Sequence, residues 1–305
     1  MKRIAALLVI FAASLWGIDG IVLRPTLYSL PVPLVVLIES GIVALLLSPI
    51  LYRQFSAIKN LSKKDWISFI GVGLLGGAIG TMAITKALFY VNYVHLSVVI
   101  LIQKLQPVFA LGLAAIILKE RLPKIFFLWA ALAIAGAYIM TFGYSLPNLT
   151  TGDKTIVAAA LSLVAAISFG SSTVLSKLAL KNVGFELGTY LRFLLSALIM
   201  LVIAFSYGDV SKINQVSQTQ WGVFLLIAFT TGGAAIFLYY YGLKKISASV
   251  ATICELAFPL TAVILDYFVR GTVLSIIQWV GVALLVYSII RVSGITFSSD
   301  QEKSS

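Results

Sequence analysis

Ten long apolar segments dominate this sequence and leave few folds open to it. They cover residues 4–23, 33–51, 66–90, 94–118, 125–142, 155–178, 187–205, 221–242, 248–268 and 273–290. Each segment is close to the roughly 20 residues that cross a bilayer as a helix. The segments are too long for strands and lack the strict alternation of a membrane β-barrel. The sequence therefore predicts an all-α membrane protein with ten transmembrane helices, here numbered as the first to tenth spans.

Charge supports this class and indicates an orientation. Only 11% of the residues are charged and 60% are apolar, against about 25% and 45–50% in soluble domains. If the N-terminus is cytoplasmic, the inner loops and tails hold fifteen Lys and Arg residues, and the outer loops hold four, Arg24 among them. The positive-inside rule then places both termini in the cytoplasm, in a cytoplasmic membrane. The net charge of +11 reflects membrane orientation, with the lipid bilayer as partner and no nucleic acid.

The second half of the chain repeats the first at an offset of 152 or 153 residues. The matching positions include Pro107 with Pro259, Trp16-Gly17 with Phe169-Gly170, Arg24 with Lys177, and Glu39 with Arg192. Because each repeat has five spans, an odd number, the second copy enters the membrane in the opposite sense. Inverted repeats are typical of secondary transporters, whose binding site lies near the midplane between the halves. We expect repeats at 1–146 and 151–293, and a cytoplasmic tail at 294–305.

Several motifs follow one another along the spans. The first span carries Trp16-Gly17, the fourth carries Pro107 and ends in Lys119-Glu120-Arg121-Leu122, and the seventh carries Leu191-Arg192-Phe193. The order of these motifs resembles the EamA group of the drug/metabolite transporter superfamily. The resemblance covers residues 4–290. It implies a basket of helices around a central cavity, with the fifth and tenth helices peripheral. It also implies transport of amino acids, related metabolites or drug-like solutes, often outward.

This sequence departs from that pattern at two places. Glu39 lies where the first half often has a basic residue, and Gly271-Thr272 replaces an acidic helix end. Both departures alter the polarity expected of the cavity.

Charged residues inside the spans are the first candidates for function, since each costs about 2.5–3.5 kcal/mol at mid-helix. They are Asp19, Glu39, Lys86, Lys104, Arg192, Glu255 and Asp266. Four acids nearly balance three bases, so internal ion pairing that fixes the packing is one interpretation. Recognition of a solute is the other.

The fourth span is polar at its middle. Gln103, Lys104 and Gln106 precede Pro107, which frees the carbonyl of Gln103 one turn earlier. Such a carbonyl needs a cavity, so Pro107 and its counterpart Pro259 are predicted helix breaks. Lys104 is expected to pair with an acid of the first, second or ninth span, or with a solute carboxylate.

Glu255 is the predicted polar anchor for a solute amine or a proton. Its counterpart in the first repeat is the neutral Gln103, so the repeat itself does not require an acid there. A salt bridge from Glu255 to Lys86 or Lys104 is the structural alternative.

Aromatic residues are expected to shape the cavity. Trp16 lies one turn from Asp19, and Phe169 is its counterpart near Ser172. Tyr239, Tyr240 and Tyr241 close the eighth span, where an interfacial aromatic belt is the alternative interpretation. The predicted substrate cavity comprises Trp16, Asp19, Glu39, Lys86, Gln103, Lys104, Gln106, Phe169, Ser172, Arg192, Tyr241 and Glu255.

These features favour a secondary transporter or facilitator of small polar metabolites such as amino acids, exporting them by alternating access. A membrane-embedded enzyme and a channel subunit are the alternatives. One histidine and one cysteine give no metal-binding pattern, and no cofactor is expected. A coupling proton is a candidate partner, and the sequence does not determine the oligomeric state.

Overall fold

The fold was taken from a computed structural model, which describes residues 2–90, 102–103, 105–144, 154–271 and 273–295. Within these residues every regular element is helical, so the all-α prediction is confirmed for the described part of the chain.

Nine segments of the described chain are long and apolar enough to cross a membrane. They are Arg3–Leu27, Val32–Ile50, Lys63–Ala87, Lys124–Phe142, Ile156–Ala179, Phe185–Ser206, Gln218–Lys245, Ala248–Val269 and Ile276–Ser293. The remaining predicted span, the fourth, contributes the shorter helix Gln106–Ile117. Most of its first half lies outside the described residues. A count of ten spans therefore stays a prediction.

Four of the spans are interrupted within the membrane. In the first span the helix Lys2–Ile18 is followed by a π-helical turn at Asp19–Leu23, and in the third span a π-helical segment at Gly73–Ile79 separates Lys63–Val72 from Gly80–Tyr90. The eighth span consists of Gln218–Phe229 and Gly233–Lys245, and the ninth consists of Ala248–Cys254 and Ala257–Arg270. Glycine is a poor helix former, and a proline cannot donate to the preceding turn. Interruptions of this kind often mark functional sites.

Serine side chains begin several of the helices. The side chains of Ser62, Ser217 and Ser275 each accept a hydrogen bond from the backbone N–H of the third residue of the following helix. The side chain of that third residue accepts a hydrogen bond from the backbone N–H of the serine, which completes a capping box. These caps satisfy backbone donors that the helix itself leaves unpaired.

Glu120 caps a helix of the other repeat. Its carboxylate accepts hydrogen bonds from the backbone N–H groups of Ala248 and Ser249, at 2.8 and 3.1 Å, and from Ser249 Oγ at 2.5 Å. A carboxylate at a helix N-terminus is stabilised by the helix dipole. The end of the fourth span is thereby fixed to the start of the ninth.

Packing between the two halves follows a reciprocal pattern. The first span packs against the eighth and ninth, and the sixth packs against the third and fourth. The second span packs against the seventh, and the fifth against the tenth. If each span is replaced by its counterpart five spans away, the first–eighth pair becomes the sixth–third pair, and the first–ninth pair becomes the sixth–fourth pair. The second–seventh and fifth–tenth pairs are unchanged by this replacement. A two-fold relation between repeats produces this pattern.

One close approach joins the first span to the ninth at Gly17. A Cβ atom added there would lie 2.9 Å from the carbonyl oxygen of Phe258 and 3.1 Å from the amide nitrogen of Ala262. The two backbones can come this close because glycine has no side chain.

The same joint occurs between the sixth and fourth spans at Gly170. A Cβ there would lie 3.0 Å from both the carbonyl oxygen of Gln106 and the amide nitrogen of Ala110. These two residues lie 152 positions before Phe258 and Ala262, the partners of the first joint. The repeat seen in the sequence is therefore also a repeat in the packing.

Candidate functional site

Glu255 lies at the break in the ninth span, between Ala248–Cys254 and Ala257–Arg270. Its Oε1 accepts hydrogen bonds from Tyr239 Oη at 2.5 Å and Thr173 Oγ1 at 3.2 Å. Its Oε2 accepts one from Gln106 Nε2 at 2.9 Å. One carboxylate thus joins the fourth, sixth, eighth and ninth spans. We call these four residues the Glu255 site.

Aromatic rings border the Glu255 site. The indole of Trp16 lies 5.3 Å from the ring of Tyr239, and that ring lies 5.9 Å from the ring of Tyr240. Tyr239 and Tyr240 are only 3% and 0% exposed. An interfacial aromatic belt is therefore the wrong interpretation for these two tyrosines, which belong to the core.

Arg192 approaches the Glu255 site through Tyr240. Its Nη1 donates to Tyr240 Oη at 3.4 Å, and its guanidinium carbon lies 5.7 Å from the centre of that ring. Tyr240 Oη also shares a hydrogen bond with Ser176 Oγ at 2.8 Å. Among the described contacts no ion pair joins Arg192 to Glu255.

Phe169 and Ser172 lie where the sixth span meets the third. The Phe169 ring packs onto Gly80, and Ser172 packs onto Gly76. The hydroxyl of Ser172 is buried without a hydrogen-bond partner in the described structure. Both residues therefore face the third span; Phe169 lies about one turn before Thr173 of the Glu255 site, and Ser172 is the neighbour of Thr173 in the sequence.

A second polar centre joins the first and second spans. Arg24 Nη2 lies 2.6 Å from Asp19 Oδ2 and 3.3 Å from Glu39 Oε1, and Arg24 Nε donates to Asp19 Oδ2 at 2.7 Å. We call these three residues the Arg24 cluster. The assignment of Arg24 to an outer loop is corrected by these contacts, since the π-helical turn and the following 3₁₀ turn keep it within the span Arg3–Leu27.

The pairing partners expected for the acids differ from those in the structure. Asp19 and Glu39 pair with Arg24, and Glu255 is held by neutral donors. The alternative of a Glu255–Lys86 salt bridge is wrong, because Lys86 is exposed and its Nζ lies 5.8 Å from the ring of Tyr207. The charged candidates of the first repeat are thus divided between separate places.

Tyr241 does not join the Glu255 site. Its hydroxyl accepts a hydrogen bond from Lys245, and its ring lies 5.0 Å from that of Phe185. Each residue of a helix is rotated by about 100° from the one before it, so Tyr239 and Tyr241, two residues apart, point in nearly opposite directions. Of the three consecutive tyrosines, Tyr239 and Tyr240 are the ones that reach the centre.

The polar stretch of the fourth span is described in part. Gln106 contacts Glu255, Gln103 is half-buried, and Lys104 lies outside the described residues, as does the side chain of Asp266. Pro107 and Pro259 each lie in the first turn of a helix that starts after an interruption. Proline is tolerated there because those turns leave N–H groups unpaired anyway.

Thr173, Tyr239 and Arg24 were missed as site residues by sequence reasoning. The sequence did contain a signal for Arg24, since it lies five positions after Asp19 at the end of an apolar run. In the structure the two side chains pair across the π-helical turn Asp19–Leu23. Thr173 carried none. Within the described residues, no three His, Cys, Asp or Glu side chains are grouped as metal ligands.

Comparisons with known proteins agree with this architecture. The model of the EamA-like transporter family matches residues 3–142 and again residues 156–294. The riboflavin transporter ImpX of Fusobacterium nucleatum is 46% identical over 290 residues, which cover 94% of this chain and 97% of that protein. The uncharacterized transporter YyaM of Bacillus subtilis is 24% identical over 84% of this chain and 82% of its own length.

A solved crystal structure shares the fold. It superposes with a TM-score of 0.74 at 16% identity, over 96% of this chain and 98% of the other. The expected resemblance is thus confirmed by two family matches in tandem, by relatives that are transporters and by apolar helices of membrane-spanning length. The chain belongs to the EamA-like transporter family of the drug/metabolite transporter superfamily and is an integral membrane transporter.

Proposed function

We propose that this protein carries riboflavin, or a closely related flavin, across the cytoplasmic membrane by alternating access around the Glu255 site. The observation that carries the proposal is the 46% identity to a riboflavin transporter over 94% of the chain. The relatives favour a transporter over an enzyme. They do not identify amino acids as the solute, which stays a prediction from the sequence.

The chemistry of the Glu255 site supports a flavin. Riboflavin has a flat aromatic ring system with an imide edge, in which an N–H lies between two carbonyls, and a polyhydroxyl side chain. The rings of Trp16 and Tyr239 offer aromatic faces at the site. The carboxylate of Glu255 can accept from the imide N–H, and the amide of Gln106 can donate to a carbonyl beside it. In this structure Gln106 donates to Glu255. A bound flavin would replace that hydrogen bond with hydrogen bonds from each of the two residues to the flavin.

The architecture needed for alternating access is part of the proposal. We place the two repeats at 1–146 and 151–293 in opposite senses, with ten spans and both termini, including the tail 294–305, in the cytoplasm. The reciprocal packing between the halves supports a two-fold relation, and the distribution of Lys and Arg supports the orientation. Reporters fused after Lys64 should read cytoplasmic, and reporters fused after Lys212 external. The opposite pair of readings would reverse the orientation.

Counterflow into proteoliposomes tests the transport proposal. Vesicles preloaded with unlabelled riboflavin should take up labelled riboflavin, and excess flavin should compete where excess amino acids do not. Competition by amino acids alone would instead favour the solute class predicted from the sequence. Export as the main direction is tested by preparing vesicles of both orientations.

A matched pair of acid variants assigns the counterflow to the Glu255 site. Glu255→Gln removes a half-buried charge that accepts three hydrogen bonds. It should lower uptake by about 10- to 100-fold, since charge-assisted bonds contribute about 1.5–3 kcal/mol. Glu186→Gln removes a half-buried acid at the start of the seventh span and should leave uptake unchanged. Equal uptake by both variants would remove Glu255 from the transport path.

A further inference from the structure

The Arg24 cluster has an uneven charge count. It holds two carboxylates, from Asp19 and Glu39, and one guanidinium, within segments long enough to span a membrane. The side chains of Asp19 and Glu39 are only 11% and 14% exposed. A buried ionised carboxylate without full compensation is costly, and more so in a membrane. The cluster therefore lacks one positive charge.

Two carboxylate oxygens of the cluster, Asp19 Oδ1 and Glu39 Oε1, are buried with no hydrogen-bond partner in the described structure. Asp19 is 8% exposed, and Arg24 satisfies its Oδ2 through two contacts. Binding one proton within the cluster would supply the missing positive charge and one further hydrogen-bond donor.

The contacts of Arg24 indicate which acid accepts that proton. Arg24 lies 2.6 and 2.7 Å from Asp19 but 3.3 and 3.4 Å from the two oxygens of Glu39. Glu39 is thus the more weakly held of the two acids. A proton on Glu39 leaves a balanced Asp19–Arg24 pair and loosens the only charged contact of the cluster that reaches the second span.

The repeat shows that the scaffold does not require these acids. Residues 153 positions later in the second repeat are Ser172 for Asp19 and Arg192 for Glu39. Lys177 is the counterpart of Arg24, and it donates to the carbonyl oxygens of Leu243 and Lys244, at 2.8 and 3.0 Å. The second repeat therefore folds with no carboxylate at either position. The two acids are an addition made in the first repeat alone.

A small cleft lies beside Arg24. Its wall holds Arg24, Tyr28, Thr81 and Thr85 together with the apolar side chains of Leu27, Leu30, Val32, Val35 and Val36. The two threonine hydroxyls are polar groups on the third span, which faces the second. Arg24 borders this cleft, and none of the four residues of the Glu255 site does.

Other ionisable groups on the elements packed against the cluster already have partners or lie at the surface. Lys86 of the third span lies over Tyr207, Arg192 of the seventh span bonds to Tyr240, and Lys212 pairs with Asp209 at 2.8 Å. Tyr28 lies in the cleft wall, Tyr267 of the ninth span is exposed, and the side chain of Asp266 lies outside the described residues. Among the described groups, Arg24 is the cation that compensates the two acids.

We propose that the Arg24 cluster is a proton-binding site that couples solute movement to the proton gradient, with Glu39 as the acceptor. A proton binds a Glu39 carboxylate oxygen, and the contact between Glu39 and Arg24 opens. The second span, which packs against the seventh, is then released from the first. Loss of the proton to the other side restores the ion pair. The coupling rests on the proposed flavin transport, whereas proton binding at Glu39 does not.

Proton binding is tested first, without any solute. Infrared difference spectra of the purified protein are recorded across pH, in the region of the protonated carboxylic acid C=O stretch. The wild type and Glu186→Gln should show a titrating band that Glu39→Gln lacks. The same band in Glu39→Gln, or no titrating band in the wild type, would overturn the proposal.

Coupling is tested next in proteoliposomes with riboflavin and a clamped membrane potential. A pH difference of about one unit should support about tenfold accumulation at one proton per solute, since a tenfold gradient corresponds to about 1.4 kcal/mol. Glu39→Gln should keep counterflow exchange but lose this accumulation, and Asp19→Asn serves if Glu39→Gln does not fold. Wild-type exchange that ignores the pH difference would contradict the coupling alone. Absence of exchange in the wild type would contradict the transport proposal, with the infrared result still deciding the site.

Discussion

The glycine joints allow a stability prediction with an internal comparison. Gly17→Ala would place a methyl group 2.8 Å from Thr261 Cβ and 2.9 Å from the carbonyl oxygen of Phe258. Nonbonded carbon atoms prefer about 3.5–4.0 Å. Because a carbonyl oxygen of a packed helix cannot rotate away, the first and ninth spans must separate.

The magnitude follows from two opposing effects. Overpacking of a dense interface costs about 1–3 kcal/mol, and the short backbone contacts put Gly17→Ala near the upper end. Alanine regains about 1 kcal/mol of helix propensity over glycine. We expect a net loss of about 2 kcal/mol for Gly17→Ala, and about 1 kcal/mol for Gly170→Ala, whose nearest contacts are slightly longer at 3.0 Å. Gly112→Ala, with nothing within 4 Å, should gain about 1 kcal/mol.

The assay is equilibrium unfolding by SDS in mixed micelles, followed by far-UV circular dichroism and fitted for the free energy of unfolding. The decisive quantity is the difference between Gly17→Ala and Gly112→Ala, expected to be about 3 kcal/mol from the two effects above. If the three variants unfold at the same SDS fraction, the close approach at Gly17 and Gly170 does not exist in the folded protein.

Three further predictions follow from single contacts. Tyr239→Phe removes the 2.5 Å hydrogen bond to Glu255 and should weaken riboflavin binding by about tenfold, as measured by flavin fluorescence quenching; unchanged binding would remove Tyr239 from the site. Glu120→Ala removes the cap at Ser249 and should lower the free energy of unfolding by about 1–3 kcal/mol, whereas Glu120→Gln, which retains an acceptor oxygen, should lose less; equal losses would contradict this role. Lys104→Met should remove most transport while membrane insertion persists, and normal uptake kinetics would give Lys104 a packing role.

Sequence reasoning indicated the apolar spans and the family because both can be recognised from the order of residues along the chain, without knowing which residues are in contact. Long apolar runs identify helices in a bilayer whatever their partners are. The offset that pairs Trp16-Gly17 with Phe169-Gly170 survives in the structure as a pair of identical joints. Glu255 was named as an acid inside the ninth span and Gln106 as part of the polar stretch before Pro107, and in the structure Gln106 Nε2 lies 2.9 Å from Glu255 Oε2.

What the sequence could not indicate was the partner of each polar group. Counting charges by loop places Arg24 in water, but a π-helical turn at Asp19–Leu23 keeps it within reach of two acids. Three adjacent tyrosines are equivalent in a hydropathy profile. Only the direction of each side chain on the helix separates Tyr239, which donates to Glu255, from Tyr241, beside Lys245. Apart from the pairs Asp19–Arg24 and Tyr241–Lys245, which are local in the sequence, these partners depend on packing between distant parts of the chain, which no local pattern encodes.

The reciprocal joints at Gly17 and Gly170 have a consequence for how such a protein can originate. A single five-helix chain that paired with its own copy would make both joints at once, because one surface would serve on each side of the two-fold axis. Such a homodimer would also have the same residue at each pair of equivalent positions. An acid placed at the Glu255 position would enter the cavity twice, and so would any acid at the Glu39 position. Fusion of two copies into one gene removes this restriction, since each copy can then mutate independently. The neutral Gln103 at the position equivalent to Glu255, and the basic Arg192 at the position equivalent to Glu39, are differences that a homodimer of identical chains cannot hold.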